Sequence, residues 1–455
     1  MARLQWLVGI LLLVGWVTSP AQEISSLAQA WEFASGHAAA NRLASTDITL
    51  ARGQGMESLK GILPTVRAEA GWLRTTDPLN AFGFTLRRRA ATLEAFAPTG
   101  LNDPRATSLT TSALVLEQPV LNLDAWLGRS AGKAAIAAQR NEAQWVAQEI
   151  QSRVLAAWFG GILTLDKVTT LQAAWNAALS HAKLSQALWE QGLVTRTDQL
   201  LAQVAAGNIE AELVAAQADH HLAAERLGLL IGLETGARIK LPAALPSQTA
   251  LQEVLEHPTG SEGNGLRADL AAARHTSRAA QLALSSSRAT ALPRINGFAR
   301  YDWNTLDAVY SGKESWTIGV QVSWAPFTGA AELAAVEIAK AKSEAARIQA
   351  EALEQTARLE ILERQSDLAV AFARLKITTA AVAQSVEAHR LASRRYSAGL
   401  SPITELLTAA AAETRSRLEA SAAVFAAITA AAEWRRAQGL SLDPILALDT
   451  KGTTP

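Results

Sequence analysis

Two hydrophobic periods share this chain. Between Arg294 and Trp324 apolar side chains fall on every second residue. Trp316, Ile318, Val320, Val322 and Trp324 point one way, and Thr317, Gly319, Gln321 and Ser323 the other. Ile295, Ala299, Tyr301 and Trp303 oppose Arg294, Asn296, Arg300 and Asp302, with Phe298 alone breaking the rule on the polar side. Earlier, Val66, Ala68, Ala70 and Trp72 oppose Thr65, Arg67, Glu69 and Gly71, while a partner near 109–116 alternates less clearly. A period of two predicts strands, here four of them over 64–74, 108–119, 293–304 and 315–325. Elsewhere the spacing is three and four, as in Leu368, Phe372 and Leu375, followed by Val382 and Val386. That spacing makes a coiled-coil seam. No proline interrupts 124–191 or 331–398, and an unbroken helix of such length reaches about 100 Å. A helix this long must pack its apolar stripe on its return helix and on other chains.

The pattern occurs twice. Trp189, Gly192, Leu193, Thr197, Asp198 and Leu200 recur 207 residues later as Tyr396, Gly399, Leu400, Thr404, Glu405 and Leu407. The same offset maps Pro119 onto Pro326 and Gly232-Leu233 onto Gly439-Leu440. An ordered set of matches at one offset predicts a duplication. The first repeat covers 23–233, with a helix over 25–59, two strands and a long hairpin over 123–233. The second covers 266–440, with a helix over 266–287, two strands and a hairpin over 330–440. Between them Pro242, Pro246, Pro258 and a glycine cluster at 260–265 mark 234–265 as a connector, and 441–455 reads as a polar tail.

About ten alternating residues suffice to cross a bilayer as a tilted barrel strand, apolar towards lipid and polar towards water. Tryptophan at strand ends suits the membrane interface, so Trp72, Tyr301, Trp303, Trp316 and Trp324 are candidates for an aromatic girdle. The competing reading is a soluble sheet with one face on a core. Four strands cannot close a barrel alone, and open edges are not tolerated in lipid. A membrane reading therefore requires several chains per barrel.

Composition narrows the choice. The 455 residues hold 42 basic and 42 acidic side chains, so no basic field invites nucleic acid. Cysteine is absent, which removes disulfides, thiolate metal sites and a lipid-acceptor cysteine. Residues 1–22 read as an export signal: Arg3, an apolar run from Leu4 to Val17, and the small residues around Ser19-Pro20-Ala21. No other run of 18 uncharged apolar residues follows. We expect no catalytic constellation, cofactor or metal centre. The seven histidines are scattered, and adjacent His220-His221 point to different helix faces. Gly53-Gln54-Gly55 is a fragment of a phosphate loop at best, and it lies in a helical stretch. Two methionines and no cysteine argue against a soft-metal relay.

These features together resemble the outer-membrane efflux, or TolC-like, family over nearly the whole chain. The residues that carry the resemblance are Gln118-Pro119-Val120 and Ala325-Pro326-Phe327 at strand-to-helix junctions, Leu63-Pro64 and Leu292-Pro293 before strands, and Gly192-Leu193 and Gly399-Leu400 at helix turns. Loop residues Asp77-Pro78, Ala81-Phe82-Gly83-Phe84 and Leu101-Asn102-Asp103-Pro104 look like one branch of it. The resemblance implies a mainly α fold with a small β part. Long antiparallel coiled-coil helices would form a periplasmic α-barrel, and four strands per protomer would join a trimeric transmembrane β-barrel in the outer membrane of a Gram-negative bacterium. It implies a homotrimer serving as the exit duct of a tripartite efflux or type I secretion system, with a periplasmic adaptor and an inner-membrane pump as partners. The loop around 74–107 would face the exterior, and the turns near Gly192 and Gly399 the periplasmic entrance.

In that family the entrance closes through a network near the second turn. Tyr396 matches its tyrosine, and Glu405 keeps a carboxylate where aspartate is frequent. Ser401 stands in place of an arginine and Thr408 in place of a second aspartate. Three Glu405 around one axis would make a cation-selecting ring; the alternative is a solvated acid favoured by a helix N-terminus. Gly192, Leu193, Thr197, Asp198, Gly399 and Leu400 are the candidate adaptor contact, the plainer reading of the glycines being helix termination. Rival classes are a periplasmic adaptor, which would usually carry one hairpin between β-rich halves, and a secreted structural coiled coil, whose strand tryptophans would be buried. A single-chain porin has too few strand candidates here, and a hydrolase hidden in the connector would need a polar site that the sequence lacks.

Overall fold

The computed structural model describes residues 23–234, 236, 239–256 and 267–451. The export-signal segment, residues 257–266 of the connector and the last four residues lie outside the described residues. The helices are α1 (Leu27–His37), α2 (Ala39–Glu57), α3 (Pro78–Arg87), α4 (Pro98–Asn102), α5 (Leu123–Glu190), α6 (Arg196–Ile231), α7 (Gln248–Glu256), α8 (Ala268–Ala289), α9 (Ala331–Ser397), α10 (Ile403–Ala437) and α11 (Asp443–Lys451). The strands are β1 (Thr65–Thr75), β2 (Thr107–Leu121), β3 (Arg294–Thr305) and β4 (Lys313–Ser323). The fold is mainly α with one small sheet. The chain divides into two units, residues 1–42, 147–265 and 360–455 in the first and 43–146 and 266–359 in the second.

The first unit is helical. Val154, Leu155, Trp158, Phe159 and Ile162 of α5 are buried, as are Leu227 and Ile231 of α6 and Ala427, Ile428 and Ala431 of α10. Alanine at these and neighbouring positions (Ala202, Ala206, Ala216, Ala423) lets helix backbones approach closely at no cost in helix propensity. One 18-residue window of α5 is apolar enough by composition to cross a membrane, and 39% of it is buried. The segment expected as a polar tail instead contains α11. Leu442, Ile445 and Leu448 recur at helical spacing and are buried, and an apolar stripe of that kind drives docking. Asp449 seals the contact, its two carboxylate oxygens each accepting at 2.8 Å from the backbone N–H of Leu27 and the indole N–H of Trp158. The expected helix over 25–59 is two helices parted at Ala38, which has ψ 130°. The Ala34 carbonyl accepts both the Ala38 N–H at 3.0 Å and the Asn41 side-chain amide at 2.9 Å, which bridges the two helices across the break.

The second unit carries the sheet, antiparallel throughout in the order β1-β2-β3-β4. Register fixes its faces. Val66, Leu116, Ala299 and Ile318 align across the four strands, as do Ala68, Leu114, Tyr301 and Trp316. The other face aligns Arg67, Val115, Arg300 and Thr317. Proline cannot donate to a ladder, and β2 shifts register between Pro119 and Leu121. There the Gln118 side chain donates to the Ile62 carbonyl at 3.0 Å, tying the strand-to-helix junction to the residues before β1. Phe298, the exception in the alternation, lies directly opposite Gly319. A Cβ at Gly319 would come within 2.8 Å of the Phe298 ring, so the ring covers the glycine and the apolar residue has a partner on the polar face. Between β1 and β2 the expected loop contains α3, started by Asp77, whose carboxylate accepts from Asn80 N–H at 2.8 Å, and by Pro78 in the first turn. Gly55 lies in α2, where a Cβ would meet Ile136 Cδ1 at 2.7 Å. Its role is close helix packing, and the phosphate-loop fragment has no loop.

Candidate functional site: a two-faced sheet and two helix turns

The sheet separates two kinds of surroundings. On its apolar face Val66, Trp72, Trp316, Ile318, Val320 and Val322 are 63–71% exposed. A row of large apolar side chains left this open is too extensive for a water-facing surface. On the opposite face Arg300 bonds Glu69 at 3.0 Å and Asp302 at 2.8 Å. Arg67 pairs with Glu117 at 3.5 Å, and Asn296 donates to the same Glu117 at 3.3 Å. This face is a ladder of paired charges, suited to water. Both edges, β1 and β4, lack a strand partner among the described residues.

The five candidate girdle residues fall at two levels. Trp72, Tyr301, Trp303 and Trp316 cluster towards the end of the sheet that bears the β1–β2 segment and the β3–β4 turn, with Tyr301 opposite Trp316 and the Tyr301 and Trp303 rings 4.8 Å apart. Trp324 stands just beyond β4 at the other end, its indole donating to the Ala291 carbonyl at 3.1 Å. From 316 to 324 is about 27 Å along a strand. At a tilt of about 40° that spans about 21 Å, against an apolar band about 25 Å tall in membrane barrels.

At the hairpin turns, within the helical unit, two helix ends share one geometry. Gly192 (φ 73°) and Gly399 (φ 69°) end α5 and α9 in the left-handed region. Leu193 N–H bonds the Leu188 carbonyl at 2.9 Å, and Leu400 N–H bonds the Arg395 carbonyl at 2.9 Å. This six-residue closure is the glycine-dependent helix stop that the sequence suggests. It turns Leu193 and Leu400 outward, 67% and 72% exposed. The first turn then restarts with Thr195, which sequence reasoning missed. Its hydroxyl accepts from Asp198 N–H at 3.1 Å, and the Asp198 carboxylate accepts from Thr195 N–H at 3.1 Å, a reciprocal capping box. Thr197 is exposed beside it. Asp198 therefore has a folding role whatever else it does.

The four candidate gate residues do not form one network within the chain. Tyr396 is 1% exposed and packs among Ala202, Ala392, Ile403 and Leu406. Its hydroxyl has no hydrogen-bond partner. Glu405, in the first turn of α10, bonds Arg395 at 2.9 Å. Arg395 is the residue that the sequence reading overlooked; the signal was the Arg394-Arg395 pair immediately before Tyr396. Ser401 carries a buried hydroxyl without a partner, and Thr408 is exposed.

A sheet apolar on one face and charge-paired on the other, in a chain of long helical hairpins, is built to stand between lipid and water. Residues 264–440 match the model of the outer membrane efflux protein family. The alkaline protease secretion protein AprF of Pseudomonas aeruginosa is 28% identical over 252 residues, 51% of this chain and 49% of that protein. The chain thus spans about half the length of the curated relative it matches. The fold resembles the outer membrane protein VceC of Vibrio cholerae at a TM-score of 0.75, with 20% identity over 91% of this chain and 96% of that one. It also resembles the CmeC outer membrane channel of Campylobacter jejuni at a TM-score of 0.73, with 14% identity over 94% of this chain and 89% of that one.

Proposed function

We propose that the chain is one protomer of a homotrimeric outer-membrane duct that passively conducts substrates from a periplasmic adaptor and an inner-membrane pump to the exterior. The sheet carries the reading. Lipid accepts the exposed row of Trp72, Trp316, Ile318, Val320 and Val322, water accepts the Arg300–Glu69–Asp302 ladder, and unpaired β1 and β4 edges demand neighbours. Three chains with four strands each make twelve, an even number within the range of membrane barrels. Residues 1–22 act as the export signal, and 23–233 and 266–440 act as two repeats joined through 234–265.

Leu193 and Leu400 are the apolar contacts offered to the adaptor, on turns held by Gly192 and Gly399. Around the threefold axis each Glu405 arrives with its own Arg395, so the entrance is a ring of ion pairs and its cation selectivity is muted. Tyr396 supports this ring from within the hairpin, with Ser401 and Thr408 as uncharged neighbours. The name of the Pseudomonas relative brings a secreted protein into consideration as cargo alongside small molecules.

The test is the mass of the detergent-extracted protein after inner and outer membranes are separated, followed by conductance in planar bilayers. A trimer from the outer membrane that conducts ions supports the duct. A soluble periplasmic monomer or dimer overturns it.

A further inference from the structure

Two histidines that the duct reading leaves unused face each other in the helical unit. His181 lies on α5 and His389 on α9, with Nε2 atoms 3.1 Å apart and rings crossed at 78°. Behind His389, its Nδ1 lies 2.7 Å from Glu413 on α10. The other oxygen of Glu413 accepts from Arg417 at 2.9 Å. Burial works against the Glu413 charge, but the bonds from His389 and Arg417 outweigh it and hold the carboxyl below its usual range. An ionised Glu413 makes Nδ1 the protonated nitrogen of His389 and leaves the Nε2 lone pair directed at His181. Burial, and next the neighbouring His389, push the His181 imidazole below its ordinary value. The facing Nε2 atoms share one N–H, donated by His181 to the His389 lone pair.

That arrangement fits a metal ion as well as a proton. A nitrogen ligand sits about 2.0–2.1 Å from zinc. Two such ligands at angles between 90° and the tetrahedral value are about 2.9–3.4 Å apart, and the observed 3.1 Å falls inside this window. Moving the His181 proton from Nε2 to Nδ1 through solvent frees the second lone pair with no net loss of protons. A carboxylate on the remote nitrogen of a ligating histidine fixes its tautomer and raises its basicity, the role Glu413 already fills. The pair lines a groove of about 910 Å³ with Asn208, Glu212 and Thr414, leaving room for water as the remaining ligands.

We propose that His181 and His389 are a binding site for a late first-row divalent cation (zinc, copper(II) or nickel) that staples α5 of one hairpin to α9 of the other. Imidazole nitrogen suits these ions, whereas Mg²⁺ and Ca²⁺ seek oxygen and monovalent copper seeks sulfur. The site uses none of the residues assigned to the strands or the entrance, so it does not depend on the duct conducting.

The experiment uses the metal-stripped full chain in detergent, titrated with Zn²⁺ by calorimetry and with Cu²⁺ by electron paramagnetic resonance. We expect one ion per chain, a copper spectrum split by two imidazole nitrogens, and no competition from Mg²⁺. His181→Gln and His389→Gln should each lower affinity at least about 100-fold and remove one nitrogen coupling. Glu413→Gln should weaken binding about 10-fold to 100-fold while keeping both couplings. His221→Ala and His275→Ala should change nothing. Unchanged stoichiometry and spectrum in the His181 and His389 variants, or the absence of saturable binding, overturns the proposal. The elution volume of each variant separates a lost ligand from a lost fold, and if one variant misfolds the other decides.

Discussion

Replacing Asp449 with alanine isolates the contact that closes the end of the chain onto its beginning. Asp449 is 8% exposed, and the donors it serves, Leu27 N–H and the Trp158 indole, belong to residues 0% exposed. A hydrogen bond to a charged group contributes about 1.5–3 kcal/mol, and a buried donor left unpaired costs a comparable amount. The carboxylate also stands at the N-terminus of α1, where a negative charge is worth up to about 2 kcal/mol. These terms overlap, since all describe removal of one group. We therefore expect about 4 kcal/mol for Asp449→Ala, a shift of about 1,000-fold in the equilibrium for undocking α11. Asp449→Asn keeps one acceptor and loses the charge, and should cost about 2 kcal/mol. The assay is amide exchange by mass spectrometry on peptides covering 24–34 and 443–451, because local opening is read directly there. Exchange should quicken in both peptides and stay unchanged in the sheet. If Asp449→Ala exchanges within about threefold of the parent in both peptides, then the bonds contribute little and the apolar stripe of Leu442, Ile445 and Leu448 alone holds α11.

Four further outcomes follow from named contacts. Gly319→Val drives a side chain into the Phe298 ring, so the assembled barrel should dissociate at lower temperature, and a double-mutant cycle with Phe298→Ala should show coupling of about 1 kcal/mol or more. Leu193→Asp with Leu400→Asp should abolish capture by the adaptor in cross-linking while leaving the mass and membrane location of the oligomer unchanged. Arg395→Ala frees Glu405 from its partner at 2.9 Å, and reversal potentials in planar bilayers should move towards greater cation preference; no movement would remove Glu405 from the conducting path. The His181 value is lowered in the fold, so between it and the unfolded value near 6.5 the unfolded chain binds more protons. Protection of the hairpin ends against exchange should thus be complete above about pH 6.5, fall as the pH drops through the folded value, and lose this dependence in His181→Gln.

The parts of the fold that could be read from the residues are those whose cause is local. Proline-free stretches give α5 and α9, and Gly192-Leu193 and Gly399-Leu400 mark their ends because only the glycine accepts a positive φ. Period-two alternation gives the two faces of β1, β3 and β4. What escaped depends on residues remote in the chain. Asp449 reaches Leu27 across 422 positions, and nothing near either residue announces the other. His181 and His389 looked scattered for the same reason, at a separation of 208. Tyr396 shows the limit of a motif: its residue type matches the family, but burial among Ile403 and Leu406 leaves its hydroxyl without a hydrogen-bond partner in the isolated chain. The break at Ala38 left only a faint signal, Gly36 two residues before it, since alanine itself is the best helix former.

The unpaired edges of β1 and β4 reach beyond the single molecule to its genetics. In the proposed trimer, a sheet that closes only by borrowing neighbours makes every pore an assembly of three copies of one polypeptide. In a cell expressing intact and assembly-competent but blocked chains in equal amounts, random mixing leaves about one pore in eight free of a blocked member. Inactivating lesions in the helical hairpins that spare the strand edges should thus act as dominant mutations, whereas lesions that prevent β1 or β4 from pairing should be recessive, because such chains never enter a pore.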